Sequence, residues 1–129
     1  MSQQRSLEQE RAGRAWECVQ QVQVNGKHYA EDYRRLARGA PAEIQANGLG
    51  QTLAFWRAKG TAAHGKLLND VATALRARSL GGEGQDVVRW IAQTATTDDY
   101  RRATVEAMAF LGWVKRFAEA DLLGGGNGR

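Results

Sequence analysis

Pro41 is the only proline in a chain of 129 residues, and no other feature constrains the fold as strongly. Short strands joined by tight turns need a proline or glycine every few residues to reverse the chain. Here the glycines gather at a few points, Gly39, Gly48, the stretch from Gly81 to Gly84 and the run from Gly124 to Gly128. Long segments with few breakers remain between them. They predict an all-α fold, a compact helical bundle of about six to seven helices with antiparallel neighbours. Residues 1–122 are expected to form a single helical-bundle domain, because a chain of this length buries about two-thirds of its unfolded surface in one core. Residues 123–129 are expected to be a disordered Gly-rich tail.

Apolar periodicity divides the chain further. Ala12, Ala15, Trp16, Val19 and Val22 recur at three and four, so a first helix should run from Arg5 to about Val24 with Cys18 beside its buried face. Asn25-Gly26 within an alternating stretch is a hairpin cue, but Tyr29, Tyr33 and Leu36 at once resume helical spacing. Asn25-Gly26 is therefore read as a left-handed helix C-cap. The second helix is expected to stop at Gly39, and Pro41 to open a short third one that ends at Asn47-Gly48. Leu49, Leu53 and Trp56 mark a segment closed by Gly60, and Leu67, Leu68, Val71 and Leu75 mark another that ends near Arg78. Ser79 to Gln85 reads as a flexible linker between bundle helices. Val87, Val88, Trp90 and Ile91 make a short helix, and Thr96-Thr97-Asp98-Asp99 supplies the caps and carboxylates that open the last one. There Tyr100, Thr104, Ala107, Leu111, Val114 and Ala118 run beside a second stripe of Ala103, Phe110, Trp113 and Phe117. A face that wide packs against more than one neighbour.

Several function classes drop out on residue chemistry. One cysteine, Cys18, excludes an internal disulfide, and His28 and His64 have no metal-ligand spacing to it or to each other. No nucleophile with its base can be assembled, and Asp98-Asp99 is explained by helix capping, since successive helical residues point about 100° apart. The expected catalytic, cofactor and metal sites are none. The apolar stretch from Ala103 to Ala120 is interrupted by Glu106, Lys115, Arg116 and Glu119, so no membrane span is expected, and the N-terminus lacks a signal core. Cytoplasmic localisation follows from this reading.

A net charge of +4 favours polyanionic partners without naming one. Basic groups cluster as Arg34-Arg35 with Arg38, Arg57 with Lys59, Lys66, Arg76 with Arg78, Arg101-Arg102, and Lys115-Arg116. Such doublets on amphipathic helices suit phosphate contact, although Glu31–Arg35, Arg102–Glu106 and Lys115–Glu119 are also spaced for i,i+4 pairing. The aromatic residues Trp16, Phe55, Phe110, Trp113 and Phe117 are expected in the core, leaving Trp56 and Trp90 as the tryptophans considered for a subunit contact.

Five ordered blocks are more specific: Tyr33-Arg-x-Leu36, Pro41-x-x-Ile44-x-x-Asn47-Gly48-Leu49, Leu53-Ala54-Phe55-Trp56-x-x-Lys59, Tyr100-Arg101-x-x-Thr104-x-Glu106-Ala107, and Trp113-x-Lys115-Arg116-Phe117-Ala118-Glu119-Ala120. Together, from about Arg14 to Asp121, they resemble the small subunit of the Cmr-type (type III-B) CRISPR RNA-targeting effector complex. That resemblance implies a non-catalytic helical bundle for RNA-guided antiviral defence. Copies of it would stack along a filament, opposite backbone subunits that hold the guide RNA and beside a large subunit, and would contact the duplex of guide and target RNA. The isolated chain is expected to be a monomer. Nucleic-acid contact is expected first at Lys59, Arg101, Arg102, Lys115 and Arg116, then at Arg34, Arg35, Arg38 and Arg57. Two other readings compete: a helix-turn-helix-like DNA-binding regulator, which lacks polar base-reading residues at an exposed helix start, and a pure protein adaptor.

Overall fold

A computed structural model describes residues 5–24 and 26–122. Asn25 and the expected tail at 123–129 lie outside the described residues. Every described element is helical: α1 (Leu7–Gln23), α2 (Lys27–Asn47), α3 (Leu49–Lys59), α4 (Ala62–Arg76), a short α5 (Val87–Arg89) continued by a π turn (Trp90–Thr94), and α6 (Thr97–Asp121).

The helix starts are set locally. Ser6 opens α1 with a capping box, its hydroxyl accepting from the Gln9 backbone at 3.1 Å while Gln9 Oε1 accepts from the Ser6 N–H at 2.9 Å. Thr61 and Thr96 cap α4 and α6 through the N–H groups of His64 and Asp99. Gly26 has φ +107 and stands at the start of α2, so the chain turns there by a positive-φ glycine but not by a left-handed C-cap.

The expected break at Gly39 and Pro41 does not occur. α2 runs through both, with Pro41 in its interior. Proline removes one i→i−4 hydrogen bond and crowds the preceding turn at a cost of about 3 kcal/mol. Against that stands a continuous buried stripe of Tyr33, Ala37, Ala40 and Ile44, whose four-three-four spacing a break would destroy. Tertiary packing outweighs propensity here. The helix ends instead at Gly48, whose φ of +87 lets the chain pass directly into α3.

Residues 79–85, expected as a flexible linker, are folded back on α4. Leu80 is buried and its N–H reaches the Leu75 carbonyl at 2.9 Å, while the Arg76 guanidinium donates to the carbonyls of Gly82 (3.3 Å) and Gln85 (2.6 Å). Gly82 has φ +78, and a Cβ there would stand 2.8 Å from the Trp90 ring, so only glycine fits against that indole.

α6 is the central element and packs on α1, α2 and α4. Its buried stripe is Ala103, Ala107, Phe110, Leu111, Val114 and Ala118, as its two-stripe pattern requires. α1 lies along it in the same direction, since Arg11 pairs with Glu106 and Gln20 with Asp121. These two helices, the first and the last in the chain, are therefore parallel. Four aromatic assignments reverse as well. Trp56 and Trp90, considered for a subunit contact, are buried, because Trp56 continues the stripe of Leu49, Thr52 and Leu53 and gives its indole N–H to Glu43 at 3.2 Å. Trp16 and Phe55, expected inside, are each 50% exposed because they stand at the edge of their stripes.

Candidate nucleic-acid interface

Nine cations were singled out by the sequence, and the fold distributes them over two regions. The first comprises residues of α2 and α3, of which Arg35 and Lys59 act together on His64 of α4. Arg34, Arg35 and Arg38 occupy consecutive turns of α2: Arg34 is half-buried with its Nε lacking a hydrogen-bond partner, Arg35 pairs with Asp32 at 3.0 Å, and Arg38 is exposed. Arg57 and Lys59 stand in the last turn of α3, where cations also favour the negative end of the helix dipole. Arg57 is paired with Asp86, the cap of α5.

His64 joins these elements. Its Nδ1 lies 2.8 Å from the Thr61 hydroxyl, and its ring meets the edge of Phe55 at 6.4 Å and 87°. Burial first, then the charges of Lys59 and Arg35, lower its pKa, with Glu43 and Asp32 opposing. A residue of α2 and one of α3 thus act on the same imidazole. The Lys59 ammonium stands 5.8 Å from the Phe55 ring centroid, within cation–π range.

The second region is the outer side of α6. Arg101 pairs with Asp98, Arg102 with Asp99 at 3.3 Å, and Arg116 lies 4.0 Å from Glu119, while Lys115 is half-buried. The i,i+4 pairs expected for Arg35, Arg102 and Lys115 do not form: short i,i+3 carboxylates capture the two arginines, and Glu106 is buried elsewhere. Arg101 and Arg116 do share one outward face. Arg101 lines a groove with Ala95, Thr96, Thr97, Tyr100, Thr104 and Val105, and Arg116 lines a second with Met108, Ala109, Gly112 and Trp113. The cations of α6 therefore flank an apolar stripe, with Val105 60% exposed along it.

The residues weighed for catalysis are kept apart. Cys18 is buried, and desolvation, reinforced by Asp70, pushes its thiol up to about 12, the opposite of an activated nucleophile. His28 is exposed at the start of α2, 3.7 Å from Glu31. Among the described residues no group of three or more His, Cys, Asp or Glu is placed to hold a metal ion. No described helix is long and apolar enough to cross a membrane.

Two polar clusters were missed by the sequence reading. Asp70, 2% exposed, accepts from the Tyr33 hydroxyl at 2.6 Å and from Lys66 at 2.7 Å, and Lys66 also reaches Gln21, so α1, α2 and α4 meet there. The i,i+4 spacing of Lys66 and Asp70 was a usable signal; their partners were not. Glu106, also buried, receives a bidentate pair from Arg11 at 2.7 and 3.0 Å, with Arg78 at 3.9 Å.

Comparison with known proteins gives this arrangement a family. Residues 7–121 match the family model described as CRISPR-associated protein (Cas_Cmr5). A curated relative from Thermus thermophilus, named CRISPR system Cmr subunit Cmr5, is 36% identical over 109 residues, covering 84% of this chain and 90% of the relative. A crystal structure of a CRISPR-associated Cmr5 family protein from the same organism superposes with a TM-score of 0.73 at 33% identity, over 93% of this chain and 99% of the other. The chain belongs to the Cmr5 family and is a small subunit of a Cmr-type CRISPR complex.

Proposed function

We propose that this small subunit is a non-catalytic, RNA-contacting element that stacks along a Cmr effector filament, with the junction of α2, α3 and α4 facing RNA and the outer side of α6 facing protein. The observation that carries the division is the contrast between the two cationic regions. Around His64 the cations Arg35 and Lys59 come from different helices, with Arg34, Arg38 and Arg57 on the adjoining turns. Phosphate contact needs cationic heads spread over a surface and no base-reading side chain. Along α6, Arg101 and Arg116 bracket Val105, Met108 and Trp113, a composition suited to the apolar centre of a protein contact with a charged rim. Arg102 and Lys115 lie beside that rim.

On this reading the partners are further copies of the chain, the backbone and large subunits, and the guide and target RNA. On the same reading cleavage is assigned to other subunits, which the burial of Cys18 as a thiol and the engagement of His64 with Thr61 support. The isolated chain is a monomer, and the complex works in the cytoplasm. The helix-turn-helix regulator is not favoured, given the family to which the chain belongs.

Reconstituted complexes carrying Arg35→Glu with Arg38→Glu, or Lys115→Glu with Arg116→Glu, test the division. The α2 pair should assemble normally, bind target RNA more weakly at every sequence, and lower the salt slope by about one unit for each phosphate that is no longer neutralised. The α6 pair should impair assembly while the folded subunit is unchanged. Normal RNA affinity in the first and normal assembly in the second would reverse the assignment.

A further inference from the structure

Among the large apolar side chains exposed in the described residues, Phe55 alone has a ring in contact with another ring. Trp16 stands on the outside of α1, Val24 at its C-cap and Val105 on the apolar stripe of α6, whereas Phe55 is 50% exposed at the α3–α4 corner and makes a T-shaped contact with His64. The brace is itself fixed: the Thr61 hydroxyl caps α4 through the His64 N–H at 3.1 Å and lies 2.8 Å from the imidazole Nδ1. A ring restrained on one side before its ligand arrives has less freedom left to lose on binding. Lys59 stands one helical turn beyond, its ammonium 5.8 Å from the ring centroid, and Arg57 shares that turn.

We propose that Phe55 is a stacking platform for one unpaired base of RNA, with Lys59 taking the adjoining phosphate. The proposal rests on the reading of this corner as the RNA face and adds what pure phosphate contact does not supply, a π-surface for a splayed nucleotide. An exposed aromatic ring beside a mobile cation is the pairing by which proteins hold single strands without reading sequence, because every base offers a face and every nucleotide a phosphate. Lys59 suits the second role. Its ammonium has no ion-pair partner among the described residues and only a loose contact with the ring, so it can swing to a phosphate oxygen at little cost. His64 suits the first, since it meets the phenyl ring at 87° and its pKa is lowered, by burial first and then by Lys59 and Arg35 against Glu43 and Asp32, which disfavours a charge beneath the base. A duplex keeps its bases stacked on one another and would leave the platform empty. The ligand class is therefore single-stranded RNA or an unpaired nucleotide flanking a duplex.

The test uses the full chain assembled in its complex and a short single-stranded RNA carrying 2-aminopurine, whose fluorescence is quenched when it stacks on an aromatic ring. Wild type should quench the probe. Phe55→Leu, which keeps apolar bulk on an exposed helical position, should abolish the quench and weaken single-strand binding by about tenfold, with duplex binding unchanged. Phe55→Trp should restore both, and Lys59→Gln should weaken binding and reduce the salt slope while keeping the quench. Equal affinity and equal fluorescence for wild type and Phe55→Leu would overturn the platform and leave phosphate contact standing. Loss of assembly in Phe55→Leu would also overturn it, making the ring an anchor for a neighbouring protein. Absence of any salt-dependent RNA binding by the wild-type complex would remove the RNA reading of the corner, and the platform with it.

Discussion

The hub around Asp70 and the corner around Phe55 both gather charged and aromatic groups from several helices, yet they use them in opposite ways. At the hub the carboxylate is 2% exposed and both oxygens are taken, one by Tyr33 and one by Lys66, whose ammonium is shared with Gln21. At the corner the pairs are exposed, Arg35 with Asp32 and Arg57 with Asp86, and Lys59 rests over a half-exposed ring. Exposed pairs are worth about 0–1 kcal/mol, whereas breaking a buried one costs about 3–5 kcal/mol. The hub therefore holds the fold and the corner is free to exchange partners. The same residue types, Lys, Asp and an aromatic, are structural or available according to burial alone.

The largest expected effect is at the hub. Asp70→Ala removes the acceptor of a buried hydroxyl and a largely buried ammonium together, and should destabilise the protein by about 3–5 kcal/mol in urea unfolding. Lys59→Ala at the corner should change stability by less than about 0.5 kcal/mol. Similar losses for both would erase the distinction between the regions.

Alkaline titration should show the hub a second way. Burial and Asp70 raise Cys18 from its usual 9.0 to about 12 and lift Tyr33 well above its usual 10.0. The folded state then holds protons that the unfolded chain has released. The stability from these two groups is complete below about pH 9 and declines as the pH rises through 9 towards 12. Unfolding midpoints measured across that range should fall, and Cys18→Ser with Tyr33→Phe should flatten the decline relative to wild type. A pH-independent midpoint in wild type would show that neither proton matters to folding.

How far the sequence predicts each region follows from the range of the interactions. The helix start at Thr96, the stop at Gly60 and the double stripe of α6 depend on residues a few positions apart, and their spacing is enough to place them; the caps at Ser6 and Thr61 are equally local but were not read from the sequence. Pro41 shows the opposite case. Its local preference is to end a helix, and only the stripe from Tyr33 to Ile44, packed on α4 and α6, keeps α2 continuous. Trp16 and Trp56 look alike in sequence, each beside apolar positions, and which one is buried depends on the helix that covers that side. Arg11 and Glu106 are 95 positions apart, beyond any spacing rule. The basic doublets were visible, but two regions of different character, one polar around His64 and one apolar along α6, emerge only when the helices are assembled.

Thr61 gives a smaller effect that separates fold from site within the corner. Thr61→Ala deletes the N-cap of α4 and the group beside His64 Nδ1, and should cost about 1 kcal/mol of stability. Thr61→Ser retains the oxygen and should recover it. If the imidazole then loosens, RNA affinity should drop in Thr61→Ala by more than its stability loss explains, at a temperature where both variants are fully folded. Unaltered affinity would mean that Phe55 needs no brace.

Asp32 provides the smallest change in stability and the sharpest test of availability. Its carboxylate lies 3.0 Å from Arg35 on the same helix face, with both side chains largely in water, 49% and 61% exposed. Such an i,i+3 pair contributes a few tenths of a kcal/mol, so Asp32→Asn should leave the unfolding midpoint almost unchanged. Its effect on binding should be of the other sign. Removing the carboxylate leaves Arg35 uncompensated and subtracts a negative charge from the surface that would meet phosphate. RNA affinity of the assembled complex should therefore rise, about two- to fivefold at low salt, and the gain should shrink as added salt screens the corner over a Debye length of about 10 Å. The same substitution at Asp98, which pairs with Arg101 at the start of α6, supplies the control. If α6 faces protein, Asp98→Asn alters assembly or nothing, but not RNA affinity. An equal rise from both substitutions would put both cationic regions on the RNA, whereas a rise from Asp98→Asn alone would move the RNA face to α6.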